Sequence, residues 1–378
     1  MVYIHVPFCR SFCVYCDFYS EIACRGRDDG MYGSYLDGLC EEIRLRRRET
    51  APTSGVNTLY IGGGTPSVLP PSAFGRIVEA LGCGPFDEFT VEVNPEDIVE
   101  KGAPYVRELM KLGVNRFSMG VQSLDDGILR WMRRRHDAGT ARRAFGILRE
   151  AGAENVSLDL IFGLSQLTPE VLSGTLDGIC ELRPEHVSAY QLSIEEDSDL
   201  AAMVSDGRYM EASEELCALQ YGRICDRLRS AGYMHYEISN WALPGREAVH
   251  NSAYWTRAPY VGFGPGAHSF DGVRRSWNSC ELSGWSASEE VLGEAEAREE
   301  RIMLGLRTAR GIPASWCRPE DVRRCFADGS LVTVGDAPSP GSAVCGECAV
   351  AVPDGLSARV RIPESRWFVS DDIISGLI

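Results

Sequence analysis

Strand-like and helix-like segments alternate through the first half of the chain, and this alternation limits the available folds more than any other feature. Six short runs of β-branched and aromatic residues recur, namely Val2–Val6, Thr58–Ile61, Phe89–Val93, Arg116–Val121, Val156–Phe162 and His186–Leu192. Strands and helices that alternate at roughly thirty residues per unit predict a parallel sheet with right-handed crossovers. Six units are too few for a complete eight-stranded barrel. We therefore expect an α/β fold built on a partial (β/α)6 barrel, with a doubly wound flat sheet as the alternative.

The rhythm changes after Leu192, which indicates further structure beyond the six units. The segment His250–Phe270 is rich in Gly, Tyr, Trp and His, and an amphipathic helix is predicted over Arg298–Arg307. The stretch Gly335–Gly346 is rich in Pro, Gly and Ser and is predicted to be a loop. We expect a barrel core over 1–240, a connecting segment over 241–294, and a small C-terminal accessory domain, helical or winged-helix-like, over 295–378.

The composition argues against two classes of protein. A net charge of −16 over 378 residues is unlike a nucleic-acid-binding protein, which would show a basic surface. No apolar stretch is long enough to span a bilayer, and a strand-like segment follows Met1 directly, without a leader peptide. The fourteen cysteines should then be mostly reduced thiols. We expect a cytoplasmic protein, with peripheral contact at the inner face of the membrane as a further expectation.

Three cysteines, Cys9, Cys13 and Cys16, lie on the loop that leaves the first predicted strand. Ligands of parallel β/α folds gather at that edge of the sheet. Three thiolates can hold three irons of a [4Fe–4S] cubane, which leaves the fourth iron open to an external ligand, whereas a structural cluster takes four cysteines. A zinc site with His5 as the fourth ligand is the alternative.

Glycines and polar residues follow other strands of the predicted sheet. Gly62–Gly64 follows the second strand, and glycines let the backbone approach a ligand closely. Glu92 ends the third strand, Gln122 follows the fourth, and Asp159 lies in the fifth. Buried polar residues are costly unless they are paired, so their joint position predicts a bound polar cofactor.

Several segments together resemble the radical S-adenosylmethionine superfamily, and within it the oxygen-independent coproporphyrinogen III oxidases and their heme-chaperone relatives. These segments are Tyr3–Cys9, the cysteine triplet, Gly62–Pro66, Phe117–Ser123, Asp159–Leu164 and Val261–Phe270, and the resemblance covers roughly residues 1–310. It implies a [4Fe–4S] cluster on Cys9, Cys13 and Cys16. It also implies that S-adenosylmethionine contacts Tyr3, Tyr15, Gly63, Gly64, Thr65, Glu92, Gln122, Arg134 and Asp159.

Two features separate the oxidases from the heme chaperones in this resemblance, and both indicate a chaperone. The oxidases have a further cysteine two residues after the third cluster ligand, where this chain has Phe18. They also have an N-terminal extension, whereas this chain starts two residues before Tyr3. From its chemistry alone, His250 would be interpreted as a surface or core histidine. Its place in a His-Asn-x-x-Tyr-Trp motif that resembles the chaperones implies instead that it is a heme ligand. His268 is a second residue that the resemblance places in contact with a cofactor.

The resemblance therefore implies a carrier that binds heme and transfers it to apo-proteins, expected to belong to the respiratory membrane. An electron donor for the cluster and a homodimer are further expectations. The alternative function is that of an oxygen-independent coproporphyrinogen III oxidase, and a zinc-bearing interaction protein is a third.

Two features of the sequence depart from the family pattern. Arg133 replaces a glycine beside Arg134, and the pair Cys345 and Cys348 lies in the divergent tail, where we expect it to be incidental.

Overall fold

A computed structural model describes residues 1–22, 28–51, 55–196, 198–334 and 358–378 of the chain. Its strands are β1 (Val2–Val6), β2 (Phe8–Cys9), β3 (Glu21–Ile22), β4 (Thr58–Gly63), β5 (Glu88–Val93), β6 (Arg116–Gln122), β7 (Val156–Phe162), β8 (His186–Gln191), β9 (Met234–Glu237), β10 (Asn240–Ala242), β11 (Val261–Phe263), β12 (His268–Phe270), β13 (Arg274–Asn278), β14 (Ala287–Val291), β15 (Ile312–Pro313), β16 (Val332–Thr333) and β17 (Arg359–Arg361). Its α-helices are α1 (Asp28–Leu45), α2 (Pro71–Leu81), α3 (Pro95–Lys111), α4 (Asp126–Trp131), α5 (Ala138–Ala151), α6 (Pro169–Leu182), α7 (Asp199–Ser205), α8 (Glu214–Ser230), α9 (Val249–Trp255), α10 (Glu294–Leu306), α11 (Pro319–Ala327) and α12 (Ser370–Ser375). Short 3-10 helices cover Arg47–Thr50, Pro66–Val68, Ala314–Trp316 and Glu364–Val369.

The largest sheet has nine strands in the order β11-β1-β4-β5-β6-β7-β8-β10-β9. Strands β11, β1 and β4 to β8 are parallel, whereas β10 and β9 join the edge in antiparallel pairs. The six predicted strands lie side by side in sequence order, without the reversal that a doubly wound sheet requires. The predicted partial barrel is therefore confirmed. The segment 241–294 contributes a seventh parallel strand, β11, beside β1.

Several of the helices between the strands start at capping residues that can be read from the sequence. At the start of α6, the Thr168 hydroxyl accepts a hydrogen bond from the Val171 amide, and Pro169 takes the first helical position. At the start of α8, the Ser213 hydroxyl accepts a hydrogen bond from the Leu216 amide. These helices return the chain so that successive strands run parallel.

The C-terminal region combines helices with a small sheet. Helices α10, α11 and α12 accompany a three-stranded antiparallel sheet in the order β15-β17-β16. This fits the predicted accessory domain, while the division at residues 240 and 294 stays a prediction. Within the described ranges, no helix is long and apolar enough to cross a membrane. The predicted loop Gly335–Gly346 lies outside the described residues, as do Cys345 and Cys348.

Candidate cluster and cofactor site

The carboxyl ends of the central strands surround a cavity of about 440 Å³. Because β4, β5, β6 and β8 are parallel, the residues that end them meet at one edge of the sheet. Eleven of the predicted site residues line this cavity: Cys9, Cys13, Cys16, Tyr15, Gly63, Gly64, Thr65, Glu92, Gln122, Arg134 and Asp159. The structure thus brings the cysteines and the polar strand ends together, while their individual roles as ligands stay predictions.

The loop Gly62–Pro66 holds the loop that carries Cys9, Cys13 and Cys16 through backbone hydrogen bonds. The Gly64 amide donates to the Val6 carbonyl at 2.8 Å, and the Thr65 amide donates to the Phe8 carbonyl at 2.7 Å. A Cβ atom at Gly64 would lie only 2.7 Å from the Phe8 carbonyl oxygen, and Gly63 has a φ of 109°. Side chains at these two positions would push the cysteine loop away or strain the turn, which explains the glycines.

A chain of hydrogen bonds connects two of the three cysteines. The Asn94 amide nitrogen Nδ2 donates to Thr65 Oγ1 at 3.0 Å, so the Thr65 hydroxyl is free to donate to Cys9 Sγ at 3.4 Å. On the other side, Asn94 Oδ1 accepts from Arg134 Nη2 at 2.7 Å, and Arg134 Nη1 donates to Cys13 Sγ at 3.4 Å. Asn94 therefore positions donors to both sulfur atoms.

The zinc alternative lacks its fourth ligand in this geometry. His5 is buried, with Nε2 2.9 Å from the Tyr19 carbonyl oxygen and Nδ1 3.2 Å from the Tyr3 hydroxyl. Among the described residues, the sole set of three metal-ligating atoms within 4.8 Å of one another is Cys225, His235 and Glu364. The thiols of the triplet are therefore spread wider than one ion requires, which fits the larger cubane.

Two carboxyl groups lie in the floor of the cavity. Glu92 accepts from the Tyr60 hydroxyl at 2.7 Å and from the Gly63 amide at 3.1 Å. Asp159 accepts from the Ser118 hydroxyl at 3.2 Å. Burial raises the pKa of Glu92 to about 7 and also raises the pKa of Asp159. Both groups are thus ready to pair with hydroxyl or amino groups of a polar ligand.

Two residues near the cavity adopt left-handed backbone conformations that side chains rarely take. Gln122 has a φ of 65° where the register between β6 and β7 shifts, and this bulge turns its side chain into the cavity. Arg133 has a φ of 58°, in the position where the family pattern has glycine. The loop beside Arg134 thus keeps a conformation that suits glycine, at some cost in backbone strain.

Three predicted site residues lie outside the cavity lining. Tyr3 packs behind Tyr60, with ring centroids 6.1 Å apart. His250 is buried on α9, with Nδ1 2.8 Å from Thr58 Oγ1 and Nε2 3.0 Å from the Tyr254 hydroxyl. His268 is exposed on β12 and stacks on Trp277 with centroids 6.1 Å apart.

Other residues of the cavity were missed by the sequence analysis. Asn94 follows Glu92 by two positions, so the same strand-end argument could have found it. Arg116 is 1% exposed at the start of β6, lines the cavity and offsets the negative charge of Glu92 and Asp159. No sequence signal separates it from a surface arginine. Asn251 also lines the cavity, although its neighbour His250 does not.

Comparisons with known proteins agree with this geometry. The family model "Radical SAM superfamily" matches residues 3–178. Heme chaperone HemW of Lactococcus lactis subsp. lactis (strain IL1403) is 34% identical, covering 82% of each chain, and that of Bacillus subtilis (strain 168) is 33% identical, covering 82% of this chain and 84% of its own. The solved structure of coproporphyrinogen III oxidase (HemN) from Escherichia coli superposes with a TM-score of 0.76 at 20% identity, covering 99% of this chain and 89% of that one. The last comparison shows a shared fold.

Proposed function

Because the chain belongs to the HemW family of heme chaperones within the radical SAM superfamily, we propose that it binds heme and transfers it to apo-proteins. Superfamily membership implies a [4Fe–4S] cluster and S-adenosylmethionine. The observation that carries the proposal is the sequence similarity to heme chaperones together with Phe18. This residue is 65% exposed at the cavity, two residues after Cys16, where the oxidases have a cysteine.

The donor set of the cavity fits the implied cofactors. Cys9, Cys13 and Cys16 would hold three irons of the cluster, and Thr65 and Arg134 donate hydrogen bonds to two of these sulfurs. When bound, the reduced cluster supplies one electron for the cleavage of S-adenosylmethionine. Glu92 would accept hydrogen bonds from hydroxyl groups of that cofactor, and Gln122 and Asp159 would orient it from the neighbouring strand ends.

His250 has the chemistry of a heme ligand, in a position that requires one local change. Burial lowers the pKa of His250 to about 3, so its imidazole is neutral and has a lone pair for iron. Its Nε2 atom is 3.0 Å from the Tyr254 hydroxyl. Ligation through Nε2 would therefore require this hydroxyl to move, and Asn251 on the cavity side marks the direction of approach. The exposed His268 is the second candidate.

The recipients that we propose are apo-heme proteins of the respiratory membrane, which the chain would meet peripherally at the inner face. The proposal includes an electron donor, because a cluster that cleaves S-adenosylmethionine must be reduced again after each turnover. We also propose that the chain assembles as a homodimer. Transfer of heme to membrane vesicles that contain apo-cytochromes, followed by visible absorption of the recipient, tests this part.

The deciding experiment assays one anaerobically reconstituted sample for heme binding and for coproporphyrinogen III turnover. We expect a Soret band on addition of heme and no decarboxylation under conditions in which a true oxidase is active. Formation of protoporphyrinogen would favour the oxidase function instead. The absence of heme binding would refute the chaperone function and leave only the cluster chemistry.

Variants around His250 test the heme ligand. His250→Ala should weaken or shift the Soret band and leave the iron–sulfur absorption intact, because the two sites use different residues. Tyr254→Phe removes only the hydroxyl next to Nε2 and should preserve or strengthen heme binding. A band that is unchanged in His250→Ala and lost in His268→Ala would place the ligand on β12.

A further inference from the structure

Three metal-ligating side chains meet away from the cavity, where the C-terminal region packs on the sheet edge. They are Cys225 on α8, His235 on β9 and Glu364 at the start of the 3-10 helix Glu364–Val369. One donor atom of each lies within 4.8 Å of the other two. Sγ of Cys225 is 3.9 Å from Nδ1 of His235, and this nitrogen is 2.9 Å from Oε1 of Glu364. Three separate elements thus converge on one point.

The ring of His235 is fixed so that Nδ1 faces this point. It stacks on the indole of Trp241, with centroids 4.0 Å apart and planes 12° apart, and meets the edge of Trp367 at 4.3 Å. Both tryptophans are fully buried. Packing on two sides leaves the imidazole little freedom to rotate, which is how proteins preorganise a metal ligand.

The surroundings of the opposite nitrogen, Nε2, suit the tautomer that a metal ligand needs. Nε2 of His235 is 3.4 Å from both the Ile238 carbonyl oxygen and the Tyr221 hydroxyl oxygen. Tyr221 donates its single hydroxyl hydrogen to the Ile238 carbonyl at 2.8 Å. Both oxygens near Nε2 can accept, so a proton on Nε2 has partners when Nδ1 binds an ion. In that tautomer the lone pair of Nδ1 points toward Cys225 and Glu364.

Nδ1 of His235 and Oε1 of Glu364 are 2.9 Å apart. Either a hydrogen bond from an Nδ1–H group or a metal ion bound to both atoms accounts for this distance. The hydrogen bond involves only His235 and Glu364, whereas a metal ion would use the sulfur of Cys225 as well. Thiolate and carboxylate would contribute two negative charges to balance a dipositive ion in this apolar surrounding.

We propose that Cys225, His235 and Glu364 bind a Zn²⁺ ion that fastens the C-terminal region to the barrel core. An ion about 2.3 Å from sulfur and about 2.0 Å from nitrogen and oxygen spans separations of this size. The thiol releases its proton to solvent when the ion binds. The Glu364 side chain is 29% exposed, which leaves a fourth position for water. Arg229 donates to the same oxygen, Oε1, at 2.7 Å and keeps the carboxylate oriented.

The test uses the full chain with Cys345→Ser and Cys348→Ser, so that the tail thiols cannot bind the ion. The protein is reconstituted anaerobically, so that the cluster occupies Cys9, Cys13 and Cys16. Elemental analysis should find one zinc per chain, and Co²⁺ in its place should give a thiolate-to-cobalt charge-transfer band. Cys225→Ser should lose the band, and His235→Gln should bind at least about tenfold more weakly.

Cys217→Ser is the matched control, because Cys217 is buried on the same helix α8 and is not one of the three proposed zinc ligands. It should keep both the zinc and the cobalt band. If the parent chain shows neither zinc nor the band, the three residues form an ion pair with a nearby thiol and the proposal is refuted. This result is independent of whether any variant folds. Equal zinc contents in the parent and Cys225→Ser would refute it as well. Neither outcome bears on heme binding.

Discussion

Asn94 and Arg134 are joined by a hydrogen bond of 2.7 Å between the amide oxygen Oδ1 and the guanidinium nitrogen Nη2. Through this bond, one side chain at the end of β5 orients the donor to Cys13, while its Nδ2 atom orients Thr65 at Cys9. Asn94 touches neither sulfur itself. It is thus a positioning residue for the proposed cluster ligands, and it lay outside the set that the sequence indicated.

Replacing Asn94 should lower the reduction potential of the cluster. Hydrogen bonds to the sulfurs stabilise the reduced form, which carries one more negative charge, and iron–sulfur potentials respond to such bonds. We expect Asn94→Ala to give a more negative potential in a redox titration followed by electron paramagnetic resonance, with iron content unchanged. Asn94→Asp keeps the acceptor for Arg134, loses the donor to Thr65 and adds a negative charge near the cluster, so it should lower the potential at least as far as Asn94→Ala. An unchanged potential in both variants would show that the hydrogen-bond chain has no influence on the cluster.

The three cysteines of the loop should account for the cluster iron. Anaerobically reconstituted protein should contain about four irons per chain, with broad visible absorption. Joint replacement of Cys9, Cys13 and Cys16 by alanine should abolish both, as measured by iron analysis and absorption. Replacement of Cys345 and Cys348 serves as the control and should change neither. A cluster that survives the triple replacement would contradict the assignment.

Glu92 should make the stability of the apoprotein depend on pH. Its pKa is raised by burial from an ordinary value of 4.5 to about 7, so the folded state holds the proton more tightly than the unfolded state. The free energy of unfolding should therefore be highest below about pH 4.5 and fall as pH rises toward about 7, by at most about 1.4 kcal/mol per pH unit. Glu92→Gln cannot ionise and should flatten this slope in urea unfolding. The exposed Glu79→Gln should leave the slope as in wild type.

Asp159 should contribute to S-adenosylmethionine binding. Its carboxylate faces the cavity and is held by the hydroxyl groups of Ser118 and Ser157. Asp159→Ala should weaken the binding of S-adenosylmethionine by about 1–3 kcal/mol, because a polar contact in the cavity is lost. Equilibrium binding to the reconstituted protein measures this, with the exposed Asp206→Asn as the control. Wild-type affinity in Asp159→Ala would show that the cofactor binds elsewhere.

The sequence alone determined the strand-and-helix alternation, the cysteine loop and the polar strand ends. Periodicity and capping residues such as Thr168 act locally, and the parallel sheet follows because each helix returns the chain to the same edge. Cys9, Glu92 and Asp159 could therefore be assigned to one site before any contact was known. The motifs also placed the chain among radical S-adenosylmethionine proteins, since three spaced cysteines and a glycine loop are read directly.

Contacts between residues distant in sequence were decided only by the tertiary structure. Asn94 connects β5 to a loop that follows α4, and such a hydrogen bond leaves no periodic pattern. His250 was expected to be a heme ligand, which stays a prediction. The structure adds that α9 packs it against Thr58 with both ring nitrogens hydrogen-bonded, because burial of a polar ring is tolerated only when it is hydrogen-bonded. The meeting of Cys225, His235 and Glu364 depends on how the C-terminal region packs on β9. Long-range packing chooses which of the many possible polar pairs form, and local sequence does not record that choice.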